Sequence, residues 1–66
     1  MIPVRIMEVH DRDGNLIRLE ASDADTGDHV LDGHWDPSDE QTPQKREEFR
    51  EWFNKMLNRK GYNSIN

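Results

Sequence analysis

The sequence predicts an α+β fold: a three-stranded antiparallel β-meander with one C-terminal α-helix packed on one face, in the order β-β-β-α. Three observations carry this. Residues 2–35 hold three segments rich in alternating or β-branched apolar residues. Clusters of Asp, Asn and Gly separate them. Between Thr42 and Tyr62, Phe49, Trp52, Phe53, Met56 and Leu57 recur at helical spacing, so one side of a helix collects all five.

The first strand is read over Ile2–Asp11, where apolar and polar residues roughly alternate. Asp13-Gly14 marks a hairpin, and Leu16–Ser22 supplies the second strand. Two registers compete. A two-residue Asp13-Gly14 turn places Glu8 opposite Leu19 and groups Ile6, Ile17, Leu19 and Ala21. A three-residue Arg12-Asp13-Gly14 turn with a bulge places Glu8 opposite Arg18 and groups Met7, Val9, Ile17 and Leu19. The second is preferred, because it sets opposite charges directly across the strands. One residue of slip exchanges the faces.

Asp23 to Asp28 is a run of turn formers, with Gly27 at positive φ. His29–Trp35 is a shorter third strand, weakened by Gly33. The helix is the firmest element. Thr42 caps it, Pro43 takes the first helical position, and Gly61 fits the position after its end. Tyr62 then packs on Leu57. Glu51 and Lys55 form an i,i+4 pair. Residues 1–62 are expected to form one small domain and 63–66 a flexible tail.

The bulk composition excludes several functions. Of 66 residues, 35% are charged and none is cysteine, which removes disulfides and thiolate metal sites. No apolar run is long enough for a membrane span or a leader, so a cytoplasmic protein is expected. The net charge is −5, distributed as −8 over residues 1–42 and +3 over 43–60. An acidic strand region opposes phosphate binding. No nucleophile elbow or phosphate-binding glycine loop is present, and the carboxylates lie in wet turns. An enzyme is therefore not expected, nor a cofactor or small-molecule substrate.

Two acidic turns, Asp11-x-Asp13-Gly14 and Asp23-x-Asp25-x-Gly27, resemble calcium loops, but each glycine comes too early for the EF-hand pattern. His10, His29 and His34 have no metal-ligand spacing. The expected function is that of a small acidic protein-interaction module, an accessory or inhibitor-type protein, or one that self-associates through the uncovered sheet face. Its candidate partner-binding residues are Met7, Val9, Leu16 and Leu31 on the sheet, with Trp35 as a core plug or an exposed anchor. The alternative is a nucleic-acid-binding βββα domain using the basic helix flank, where Arg46 and Arg50 would contact phosphate. The helix's aromatic stripe is read as core.

Overall fold

The computed structural model describes all 66 residues. Its elements are β1 (Ile2–His10), β2 (Leu16–Asp23), β3 (His29–His34), α1 (Pro43–Arg59) and β4 (Tyr62–Ser64). The sheet has four strands in the order β3-β2-β1-β4. The meander β1-β2-β3 is antiparallel, while β4 runs parallel to β1. No helix is long and apolar enough to cross a membrane.

Local chemistry sets the turns and the helix ends. Asp11 Oδ1 accepts the Asp13 and Asn15 N–H groups, each at 2.9 Å, and Gly14 adopts φ 84°. Asp23 Oδ1 does the same for Asp25 and Thr26, with Gly27 at φ 78°. Thr42 Oγ1 accepts from the Lys45 N–H at 3.1 Å, and Pro43 opens α1. Gly61, at φ 88°, donates to the Asn58 carbonyl at 3.1 Å and turns the chain out of the helix. The Glu51–Lys55 pair is not formed. The charged contacts that the helix does form are Lys45–Asp39 at 3.0 Å, Arg50–Glu47 at 3.6 Å and Arg50–Glu8 at 2.7 Å.

The chain after Gly61 corrects the expected tail. Tyr62, Asn63 and Ser64 pair with Ile2, Pro3 and Val4. The Ile65 N–H donates to the Val4 carbonyl at 3.0 Å. Asn66 then pairs through its carboxamide. Its Oδ1 accepts the Ile6 N–H and its Nδ2 donates to the Ile6 carbonyl, both at 2.8 Å. One side chain thus prolongs the ladder past the end of β4. It satisfies a strand edge that would otherwise present open donors and acceptors.

The register is a second correction. Glu8 lies opposite Leu19, not Arg18, and Val9 opposite Arg18. The three-residue turn does form, since the Asp11 N–H bonds the Asn15 carbonyl at 2.9 Å. The pairing then shifts between Val9 and His10, and His10 faces Leu16, so Ile17 is the extra residue of a bulge. That one residue decides two fates. Leu16 turns inward at 1% exposure, and Ile17 turns outward at 39%.

The core lies between α1 and the face carrying Val4, Leu19 and Ala21, closed by Leu16, Phe53 and Leu57. Seven residues in all are buried, six of them apolar, so each core side chain carries a large share of the stability. Gly33 is the seventh. A Cβ there would lie 2.8 Å from Phe53 Cδ1 and 3.1 Å from Trp52 Cζ3. The glycine read as a weak point of β3 is the seat on which the helix's aromatic rings rest.

Candidate interaction surface

Alternation along the strands sorts the sheet's two faces. Val4 and Ile6 of β1 pack toward α1, so Arg5, Met7 and Val9 point to the other side. Across the sheet, Met7 faces Glu20, which faces Asp32, and Val9 faces Arg18, which faces His34. No element covers this side. Met7 is 58% exposed at its middle, with Ile17 near the hairpin end.

The charges around Met7 are partly neutralised among themselves. Arg18 Nε donates to Glu20 Oε2 at 2.7 Å. His29 Nε2 lies 3.5 Å from Asp32 Oδ1, an oxygen shut off from solvent and without a hydrogen bond. The polar groups thus turn toward each other and leave Met7, Val9 and Ile17 as the unsheltered apolar part of the face.

The other sequence candidates separate from this surface. Leu16 is core, brought inside by the bulge, and is withdrawn as a contact residue. Leu31 pairs with Ala21 and packs against the core from the helix side, so it too leaves the uncovered face. Trp35 packs edge-on against Phe49, with ring centroids 5.2 Å apart at 76°, and its Nε1–H donates to the Asp39 carbonyl at 3.0 Å. It plugs the end of the core and also lines two surface clefts.

Arg50 is engaged inside the molecule. Its Nε donates to Glu8 Oε2 at 2.7 Å and its Nη2 to Glu8 Oε1 at 3.0 Å, a two-bond fork. His10 Nε2 lies 3.3 Å from the same carboxylate. The Arg50 hydrogen bond is the main reason that the Glu8 carboxyl sits below its ordinary range, helped by the charges of Arg50 and His10 and opposed by burial. Arg46 is half-buried and makes no ion pair.

This pair sets a pH dependence. A carboxyl held low in the folded state contributes stability that is present above its unfolded pKa. The contribution is lost as pH falls through the folded value. The stability difference between wild type and Glu8→Gln should therefore be about 0.2–1 kcal/mol at neutral pH, the range of partly exposed ion pairs. It should vanish as the solution is acidified below the carboxylate range. Urea unfolding of both proteins across pH checks this. A difference that persists unchanged in acid would contradict it.

No family model, no curated protein and no solved structure matches the chain. The surface is therefore read from its own chemistry.

The aromatic stripe of α1 is core only in part. Phe53 and Leu57 are buried, but Trp52 is 48% exposed. It stacks on Phe49 at 5.7 Å and 20°. Periodicity placed Trp52 on the right side of the helix. It did not show that the sheet ends before covering it. The acidic turns spend their carboxylates on backbone N–H groups, which hold Asp11 below the usual carboxyl range, chiefly through Asn15. Asp36 is held low likewise by the Ser38 N–H and Oγ–H. No three His, Asp or Glu side chains converge as metal ligands.

Proposed function

We propose that this chain is a small acidic, non-enzymatic protein-interaction module of the cytoplasm. It docks a protein partner or a second copy of itself through the sheet face that α1 leaves uncovered. The observation that carries this reading is the position of Met7. In a chain with few large apolar residues, this one stands 58% exposed at the middle of a bare sheet face, flanked by Val9 and Ile17. Of the surrounding charges, Arg18 and Glu20 are already paired with each other, which lowers the desolvation cost of covering that part of the face.

Two observations weigh against other classes. The phosphate-binding alternative relies on free cations along the helix flank, but of its two named residues Arg50 is committed to Glu8, which leaves Arg46 as the unpaired one. For general acid catalysis a carboxyl must rise toward neutral pH, whereas Asp11 and Asp36 move down.

Light scattering after size exclusion, together with affinity capture from lysate, tests the proposal. Met7→Glu serves as the paired variant. The expected result is a mass above the monomer or a retained protein, either of them lost in Met7→Glu. A strictly monomeric protein that retains nothing at any salt concentration would overturn it. Salt-sensitive retention of DNA or RNA, abolished at Arg46 and Arg50, would replace it with the alternative.

A further inference from the structure

Trp35 stands between two open clefts at the hairpin end of the molecule, which reach the rim of the Met7 face at Ile17 and His34. One, of about 480 Å³, includes Asp11, Asp39 and Glu40 in its wall and no cationic side chain. The other, of about 400 Å³, is walled by Phe49 and Trp52 together with Asp36, Asp39 and Glu48, against the ammonium of Lys45 and the imidazole of His34. Trp35 and Asp39 belong to both. Five carboxylates therefore surround a cluster of three aromatic rings.

The rings are fixed. Trp35 meets Phe49 edge-on, Phe49 stacks on Trp52, and the Trp35 indole N–H is anchored on the Asp39 carbonyl. Fixed indole faces within an acidic rim attract a cation by both the ring quadrupole and the surrounding charge. The site already holds one cation, since Lys45 Nζ lies 3.0 Å from Asp39 Oδ1. A compact metal ion does not fit, because the carboxylates are spread along two clefts and no three converge. An anionic polymer is repelled. What matches is an extended chain with cationic groups spaced along it.

We propose that the paired clefts astride Trp35 are a receptor for a basic peptide segment, with Lys or Arg side chains lying against Trp35 and Trp52 and pairing with the rim carboxylates. The clefts meet the Met7 face at its rim, through Ile17 and His34, but neither Met7 nor Val9 lines them, so a variant at Met7 probes one site without the other.

The test follows the two indole N–H signals by NMR during titration with three short peptides of equal length, rich in Arg and Gly, Lys and Gly, or Asp and Gly. The Arg or Lys peptide should shift both indole signals saturably, and the shift should weaken as salt rises. Glu40 and Glu48 are exposed, so Glu40→Lys with Glu48→Lys leaves the core untouched. That double variant should lose affinity on the order of tenfold, the effect of placing like charges at a rim. Met7→Glu should bind as wild type does, which separates this site from the sheet face. Equal response to the Asp peptide, unchanged affinity in the double variant, or the same shifts with Ca²⁺ alone would overturn the proposal. So would the absence of saturation with either cationic peptide.

Discussion

Phe53→Ala should unfold the domain. Phe53 is 0% exposed and is the largest fully buried side chain of a core that has only six apolar members. It rests on Gly33, which has no side chain of its own to fill the space that Phe53 would leave. Truncating a buried Phe to Ala costs about 3–5 kcal/mol. A single core in a domain this small supplies roughly 3–5 kcal/mol in total. The two magnitudes are equal, so the variant should lose far-UV structure and show no cooperative urea transition. The neighbouring Trp52, half in solvent, should tolerate alanine far better. A Phe53→Ala protein that unfolds at the wild-type midpoint would show that the helix is not held through this contact.

Removing residues 62–66 should be almost as damaging, although the last four of them read from sequence as a flexible tail. The truncation deletes the parallel strand beside β1, the Ile65–Val4 hydrogen bond and both Asn66–Ile6 bonds. It also deletes Tyr62, which packs against the core cluster. Each hydrogen bond is worth about 0.5–1.5 kcal/mol. Full burial of a large apolar side chain is worth about 1.5–3 kcal/mol, and the partly buried Tyr62 contributes a fraction of that. The truncated chain should therefore be largely unfolded by circular dichroism, and Asn66→Ala alone should lower the urea midpoint measurably. A flexible tail at 63–66 would leave the Asn66→Ala midpoint unchanged, and that measurement separates the two views.

Much of this fold is legible because its causes are local. Thr42, Pro43 and Gly61 act on backbone groups within a few residues of themselves, and the helix begins and ends where they stand. Gly14 and Gly27 take positive φ in the turns their neighbouring aspartates close. The Glu8 register is set by distant contacts. Cross-strand charge pairing predicts Arg18 opposite Glu8, but the Ile17 bulge moves Arg18 opposite Val9, and Arg50 reaches Glu8 from the helix, 42 residues away in the chain. Tyr62–Ser64 is short and polar, with no alternation to announce a strand. Its pairing depends on the helix delivering it beside β1.

The candidate sites divide in the same way. Met7 and Val9 fall on the uncovered face, while Leu16 and Leu31 were drawn into the protein. The clefts around Trp35 join residues from the first hairpin, the β3–α1 connection and the first half of α1. Nothing in the spacing of these residues announces that they meet.

By itself, then, the sequence determined the order of β1, β2, β3 and α1, the ends of the helix, and the glycine positions of the turns. Only the tertiary structure decided which sheet face is covered, that Leu16 goes in and Ile17 out, and that a fourth strand closes the edge. It also decided that Trp52 stays in solvent. Caps and turns are fixed by hydrogen bonds and φ limits spanning a few residues. The faces of a sheet are fixed by pairing between distant segments, and there one extra residue in a bulge exchanges inside for outside.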